Sequence, residues 1–201
     1  MNARISALLA ATLVAAVPFA SAANVAGGAA VSNAGAGFGV SGGWCCGAPA
    51  ALSTVTDGAL LAAGTQWNTG TVFWSGAGTD TSDSVTITLA GAASVTGLSL
   101  QGDNNDSYAV RYLGLDSAWH DLATINPNTD SSWGMGDGSA SFGAVTATAF
   151  QIMASGDGFY SVSEFQSEGA FLPAVPEPTS GMLMLAGVAA LASLARRRSA
   201  R

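Results

Sequence analysis

The densest group of side-chain oxygens in this chain is the run Asp103-Asn104-Asn105-Asp106. Adjacent carboxylates and amides can ligate a calcium ion or hydrogen-bond the hydroxyls of a sugar. The EF-hand pattern also needs a glycine and a glutamate at fixed distances downstream, and both are missing here. Asx residues between two strands commonly form a turn. We therefore expect a turn, with Asp103 and Asp106 as candidate ligand contacts.

The five tryptophans form a second group that could bind a sugar. An indole ring is large, flat and amphipathic, and its face matches the apolar face of a pyranose. Trp67 and Trp74 lie beside strand-like runs, so we expect them in the core. Trp133 lies in a glycine-rich segment unsuited to a strand interior and is the first candidate for a ligand contact, followed by Trp44.

Catalytic patterns are scarce in this sequence. His120 is the only histidine, and no Gly-x-Ser-x-Gly segment is present. Glycine fingerprints for dinucleotides and phosphates are absent, so no organic cofactor is expected. The many aspartates leave two-carboxylate glycosidase chemistry formally open, but no pair lies in a setting that indicates a raised pKa. The expected protein is not an enzyme.

The two cysteines, Cys45 and Cys46, are adjacent. Neighbouring Cα atoms lie about 3.8 Å apart, which is below the usual disulfide range of roughly 4.4–6.8 Å. A strained vicinal disulfide, which we favour slightly, an intermolecular bridge and two buried thiols all remain open. Two thiolates do not make a zinc site, which takes four ligands.

The N-terminal 22 residues have the pattern of a secretory signal peptide. Arg4 precedes an apolar run from Ile5 to Val17, and Ala20-Ser21-Ala22 supplies the small residues that signal peptidase requires. Cleavage before Ala23 would release a chain that has crossed the inner membrane. Residues 23–43 are nearly all small, and we expect a loose Gly/Ala-rich lead-in there.

The C-terminal segment combines three elements in a fixed order. A linker over residues 171–178 contains Val175-Pro176-Glu177-Pro178, an uncharged stretch follows over residues 179–195, and Arg196-Arg197-Arg198 begins the tail of residues 196–201. The seventeen uncharged residues are at the lower limit for a transmembrane helix, roughly 17–25 residues. The arginines favour a cytoplasmic C-terminus, so the body would lie on the far side of the membrane.

This tail resembles the PEP-CTERM sorting signal of Gram-negative bacteria that make exopolysaccharide. The resemblance implies recognition by an exosortase, a transpeptidase-like membrane enzyme that cuts near the Pro-Glu-Pro motif. It also implies a transient anchor in the inner membrane, followed by release to the cell surface or extracellular matrix. An ordinary C-terminal membrane anchor is the alternative.

The body of the chain is strongly acidic. Five of the six basic residues lie in the two terminal signals, which leaves Arg111, whereas Glu177 is the only one of the thirteen acids in the tail. Such a surface repels nucleic acid and anionic lipid, and it suits cations, neutral sugars or calcium-bridged acidic polymers. Nucleic-acid binding is excluded as a function class.

Short alternating runs in the body predict an all-β fold. Val85, Ile87 and Leu89 alternate with threonines, which is the pattern of a half-buried strand. Similar runs begin near Leu98 and Tyr108, and two more contain Phe150-Gln151-Ile152 and Tyr160-Ser161-Val162. Six to eight strands at this spacing favour a β-sandwich or jelly roll.

The same runs resemble the discoidin, or F5/8 type C, module. The resemblance rests on Thr56-Asp57-Gly58, Thr65-Gln66-Trp67, the strands from Ser84 and Val95, and the two strands from Val145 and Tyr160. It implies a galactose-binding-like jelly roll over residues 44–170, often a carbohydrate- or lipid-binding module. It also implies a structural calcium ion, with Asp57, Thr65 and Glu164 at the matching positions. On the residues alone, Asp57 could instead cap a turn while Glu164 faces solvent.

Together these patterns predict an exported, exosortase-sorted protein of the cell surface or matrix that binds carbohydrate without catalysis, with the cell's own exopolysaccharide as the expected ligand. The first alternative is a structural matrix protein whose acidic surface cross-links through cations. The second alternative is a glycosidase. Saturable, sugar-specific binding distinguishes the first prediction from its main alternative.

Overall fold

The computed structural model describes residues 23–44, 47–76, 83–128 and 133–173. The predicted signal peptide, Cys45 and Cys46, the Pro-Glu-Pro motif, the apolar stretch 179–195 and the arginine tail all lie outside these residues. Within them, no helix is long and apolar enough to cross a membrane. Contacts divide the chain into two units, residues 1–170 and 171–201, and the fold described below concerns the first unit.

The body is all-β, as the sequence predicted. The described residues form one short 3₁₀ helix, Leu52–Thr56, and eight strands. The strands are β1 Ala23–Asn24, β2 Ala30–Ala34, β3 Val72–Ser75, β4 Ser84–Asp103, β5 Ser107–Leu113, β6 Trp119–Ile125, β7 Met135–Ser155 and β8 Phe159–Phe171.

All strand pairings in the described residues are antiparallel, and two long strands organise them. The hydrogen-bonded order is β1-β8-β4-β7-β5-β6, with β2 paired to β4 and β3 paired to β8. The pairing of β4 with β7 shifts register between Thr88 and Ala93 and again between Val95 and Gly97. Such irregularities bend a strand, so the two halves of β4 and β7 can serve different layers.

Aromatic and aliphatic side chains fill the space between these layers. Phe150 of β7 packs against Phe165 of β8 with ring centroids 5.2 Å apart. The alternating residues of β4 behave as predicted, because Val85, Ile87 and Leu89 are buried while Thr88 is exposed. The alternation of apolar and polar residues along β4 therefore predicted correctly which of its side chains face the core.

Tyr108 of β5 is hydrogen-bonded to both β4 and β8 through its hydroxyl group. Its side chain is fully buried, and its hydroxyl donates to Ser161 O of β8 (2.8 Å). The same hydroxyl accepts from Asp103 N–H at the end of β4 (2.9 Å). Three strands are thus fixed to one another at a single oxygen atom.

Residues 23–43 differ from the loose lead-in that their composition predicted. β1 pairs with β8 and β2 pairs with β4, while Val25 and Ala26 are buried in the core. Gly28 N–H donates to Thr56 O (2.7 Å), and the Thr56 hydroxyl donates to Ala29 O (3.0 Å). Small side chains allow the backbone of residues 23–43 to lie close to the neighbouring strands. The many small residues in this segment are therefore explained by packing.

Replacing Tyr108 with Phe tests the hydrogen bonds of its hydroxyl group. The substitution leaves Asp103 N–H and Ser161 O buried without this partner, so the free energy of unfolding should fall by about 1–3 kcal/mol. Urea denaturation of the purified protein measures the change. Tyr112→Phe, on a partly exposed position of the same strand, is the matched control, and an equal loss in both variants would contradict the role of Tyr108.

Candidate functional site

A cleft of about 560 Å³ opens where β4 ends and where β7 and β8 begin. We call it the aromatic cleft. It is lined by Trp44, Gln66, Trp67, Asp103, Asn104, Asn105, Trp133, Gly134, Asp157 and Phe159. Its size and its mixture of aromatic walls with a few polar groups are typical of sites for small organic ligands.

The acidic run after β4 forms the expected turn and closes one side of the aromatic cleft. Asn104 N–H donates to Gly134 O (3.0 Å), which links this turn to the segment before β7. Asn105 Nδ2 donates to Asp157 Oδ2 (2.9 Å), and Asp157 N–H donates to Asp106 Oδ1 (3.3 Å). The turn is therefore held to the β7–β8 connection as well.

Gly134 positions the segment that carries Trp133. Its φ is +86°, and a Cβ atom at this residue would lie 2.6 Å from Thr65 O. Only glycine combines this backbone conformation with this close approach. Met135 N–H donates to the same Thr65 O (2.8 Å). The exposed indole of Trp133 thus projects from a backbone that is fixed immediately after it.

The aromatic wall is built from distant parts of the chain. Trp67 lies 5.5 Å from Phe159 and 5.4 Å from Phe73, measured between ring centroids. Trp44 and Trp133 line the same cleft and are 60% and 61% exposed. Large exposed aromatic side chains that border a concave surface are typical of binding sites.

Two carboxylates at the cleft have unusual electrostatics. Burial, together with the nearby charges of Asp103 and Asp157, raises the pKa of Asp106 to about 8. Burial and the charge of Asp157 raise the pKa of Asp103 to about 6. The expectation that no carboxylate pair has a raised pKa is therefore wrong, because the sequence did not show that this turn is buried.

The structure brings together three of the four predicted ligand contacts, namely Trp44, Asp103 and Trp133. Asp106 lies behind them, buried and hydrogen-bonded to Asp157 N–H. Whether these residues bind a ligand remains a prediction. Trp119 and His120 lie on β6 outside the cleft, where His120 stacks on Tyr112 and pairs with Asp116.

Four residues of the aromatic cleft lie outside the segments that the sequence indicated for ligand contacts, namely Gln66, Trp67, Asp157 and Phe159. Trp67 was assigned to the core, yet it is only partly buried, whereas Trp74 is a core residue as expected. The sequence around Trp67 is polar and lacks strand alternation, which indicates a loop and therefore a partly exposed tryptophan. Asp157 follows Gly156 in a glycine-rich turn, which was a weaker signal of the same kind.

The residues predicted to hold calcium divide into a close pair and one more distant partner in the same loop. Asp57 Oδ1 accepts from Ala59 N–H (2.8 Å), which is the turn-capping contact given above as the alternative to calcium binding. Gly58 N–H donates to Glu164 Oε2 (3.1 Å), so Asp57 and Glu164 flank one backbone position. The Thr65 hydroxyl donates to Ala62 O (2.6 Å) at the other end of this loop.

Glu164 is buried, contrary to the solvent-facing alternative. Its Oε1 has no hydrogen-bond partner among the described residues, and burial raises the pKa of its carboxyl. No group of three or more acidic, histidine or cysteine side chains that could hold a metal is found in the described part of the chain. A calcium ion here would therefore need backbone or hydroxyl oxygens in addition to Glu164.

The raised pKa of Asp106 predicts a pH-dependent stability. The folded state binds this proton more tightly than the unfolded state, so the free energy of unfolding should fall as pH rises from 3.8 to about 8. Asp106→Asn should reduce this slope and stabilise the protein at the alkaline end by about 1 kcal/mol or more. Urea denaturation over this pH range measures both effects.

Asp121→Asn is the control for this experiment, because Asp121 is exposed on β6. It removes the same charge and should keep the wild-type slope. A slope unchanged by Asp106→Asn would show that the carboxyl of Asp106 does not carry the pH dependence.

Several solved structures are similar to the body of this chain. A mutant of chitosan-binding module 1 from a chitosanase/glucanase of Paenibacillus sp. IK-5 is 19% identical, with 73% of this chain and 98% of that chain covered and a TM-score of 0.49. CpGH89CBM32-4 from Clostridium perfringens, in complex with glcNAc-alpha-1,4-galactose, is 15% identical, with 77% and 99% covered and a TM-score of 0.46.

SpGH29 is 13% identical with a TM-score of 0.45, covering 76% of this chain but only 28% of that much longer chain. At these identities and TM-scores, the similarities assign neither a ligand nor site residues to this chain. No curated protein matches the sequence.

The C-terminal prediction is confirmed by a family model. Residues 174–199 match the PEP-CTERM protein-sorting motif, which indicates a protein exported to the cell surface. The chain therefore carries a PEP-CTERM sorting motif, and carbohydrate-binding modules are among the solved structures similar to its body.

Proposed function

We propose that this exported protein binds carbohydrate through the aromatic cleft without catalysing a reaction, and that its ligand is the exopolysaccharide of the producing cell. The observation that carries the proposal is the meeting of Trp44, Trp67 and Trp133 with amide and carboxylate side chains in one concave site. Indole faces stack on the apolar faces of sugar rings, while the polar groups bond ring hydroxyls.

The residues that line the aromatic cleft have different roles in the proposed binding, which follow from their exposure and contacts. Trp44 and Trp133 are the most exposed aromatic residues of the wall and are free to contact a sugar face. Trp67 is packed against Phe73 and Phe159, so it contributes a fixed surface. Gln66, Asn104 and Asp157 supply donors and acceptors around these rings. A preorganised wall of this kind lowers the entropic cost of binding.

A hydrolytic role is disfavoured by the position of the protonated carboxyl. A glycosidase needs a general acid that reaches the glycosidic oxygen beside a second carboxylate. Asp106 has the raised pKa of such an acid, but it is 4% exposed and lies behind Asp103. We therefore propose binding without turnover, and release of reducing ends from the polysaccharide would contradict it.

We also propose that an exosortase processes the tail after export. The PEP-CTERM motif over residues 174–199 supports this step. The apolar stretch would hold the protein in the inner membrane until cleavage, after signal peptidase has removed residues 1–22. The aromatic cleft would then act at the cell surface or in the extracellular matrix, where the polysaccharide is.

Truncating the exposed aromatic residues tests the binding proposal. Trp133→Ala and Trp44→Ala should each weaken binding of the full chain to the strain's exopolysaccharide about tenfold, because each removes a stacking face. Isothermal titration calorimetry in a detergent without a sugar headgroup measures the affinity. Trp119→Ala, on β6 and outside the cleft, is the matched control.

The same titration separates the proposal from its main alternative. Saturable binding that depends on the two cleft tryptophans supports a carbohydrate-binding protein. Binding that shows no saturation, or that falls equally in the Trp119→Ala control, would instead favour a structural matrix protein that is cross-linked through its acidic surface.

We propose that calcium binds at Glu164 and Asp57, with Thr65 contributing oxygens from the same loop. The buried, unpartnered Oε1 of Glu164 supports this assignment. Calcium would neutralise the carboxylate and stiffen the loop next to the aromatic cleft. The wild-type melting temperature should rise with calcium and fall with a chelator, and Glu164→Gln should abolish the difference. Asp121→Asn should retain it, and a calcium-independent wild-type melting temperature would exclude the site.

A further inference from the structure

Three carboxylates meet at one side of the aromatic cleft. Asp103 and Asp157 line the cleft, and Asp106 lies between the strands behind them. Asp157 N–H donates to Asp106 Oδ1 (3.3 Å), and the charges of the other two aspartates act on Asp106. Asp103 and Asp157 therefore place carboxyl groups on one wall of the cleft, and no basic residue is among its lining residues.

The described part of the chain offers no counter-charge to this group. Its basic side chains are Arg111 and His120, on β5 and β6. Arg111 pairs with Asp121 (3.2 Å), and His120 pairs with Asp116 (2.9 Å). Buried carboxylates without a cationic partner are costly, and a bound cation would relieve that cost.

Asp106 adds a third carboxyl group behind this wall of the cleft. The residue is 4% exposed, and its Oδ2 has no hydrogen-bond partner among the described residues. Buried carboxylate oxygens are almost always hydrogen-bonded or paired. Asp106 does not line the cleft, so contacts to a ligand fall to Asp103 and Asp157, which do.

The chemistry of the walls favours an organic cation over a metal ion. No metal-binding group of three or more side chains is found in the described residues. Trp44, Trp67 and Trp133 instead place ring faces next to the carboxylates. An ammonium group can form charge-assisted hydrogen bonds to the carboxylates and cation–π contacts with the indole rings.

We propose that the aromatic cleft selects glycans that carry free ammonium groups, that is, hexosamine units without N-acetylation. The sugar ring stacks on Trp44 or Trp133, and its ammonium group donates hydrogen bonds to Asp103 and Asp157. This inference rests on the proposed carbohydrate binding and names the class of sugar. An N-acetyl group removes the charge and adds bulk, so an acetylated sugar loses the contacts to the carboxylates.

Two oligosaccharides of equal length test this selection. Glucosamine oligomers and N-acetylglucosamine oligomers are titrated calorimetrically into the full chain at near-neutral pH, in a detergent without a sugar headgroup. The glucosamine oligomer should bind about tenfold more tightly. Asp157→Asn and Asp103→Asn should each remove most of this preference, while weak binding of the acetylated oligomer persists.

Asp121→Asn distinguishes a local effect from a general attraction between an acidic protein and a polycation. It removes one negative charge outside the cleft and should keep the full preference. Asp157 is exposed, so its variant should fold even if Asp103→Asn does not.

The outcomes separate this inference from the proposed function. Equal affinity for the two oligomers, or a preference that survives Asp157→Asn, overturns the selection of ammonium groups while binding of the exopolysaccharide still stands. If the exopolysaccharide itself shows no saturable binding to the wild-type chain, the proposed function fails, and this inference fails with it.

Discussion

The hydroxyl of Tyr108 is the contact on which the geometry of the site depends. It is buried, donates to Ser161 O of β8 and accepts from Asp103 N–H at the end of β4. Because Asp103 begins the acidic turn and β8 begins at Phe159, one oxygen atom sets the distance between two sides of the aromatic cleft. Leaving the buried hydroxyl, N–H or carbonyl group without a hydrogen bond would destabilise the folded state, so these three groups hold one another in place.

Hydrogen bonds between loops hold the rest of the aromatic cleft together. The acidic turn bonds to Gly134 O and to Asp157, and the loop ending at Thr65 bonds to Met135. Each connection fixes a loop that carries an aromatic or acidic side chain. The sandwich thus serves as a rigid base, while recognition is left to side chains at the strand ends. Loops positioned by a rigid scaffold are the usual location of binding residues.

The sequence predicted the strands well because alternation records which side of a strand is buried, and Val85, Ile87 and Phe150 follow it. It failed where burial depends on distant partners. Gln101 is a polar residue beside Leu100, yet it is buried, with its side chain hydrogen-bonded to Leu61 and Asp137. Glycine-rich surroundings correctly indicated that Trp133 is exposed, but no local pattern shows that Trp44 and Trp67 lie on the same cleft. The raised pKa of Asp106 was equally invisible, since it requires the burial of a turn and the approach of Asp157.

Carbohydrate binding at the aromatic cleft can be tested by fluorine NMR of the full chain labelled with fluorotryptophan and titrated with the strain's exopolysaccharide. The five tryptophans give separate probes, assigned through Trp→Phe variants. If the cleft binds the polysaccharide, the resonances of Trp44, Trp67 and Trp133 should shift in a saturable manner, while those of Trp74 and Trp119 should not. Saturable shifts confined to Trp119, or no shift at any tryptophan, would contradict carbohydrate binding at the aromatic cleft.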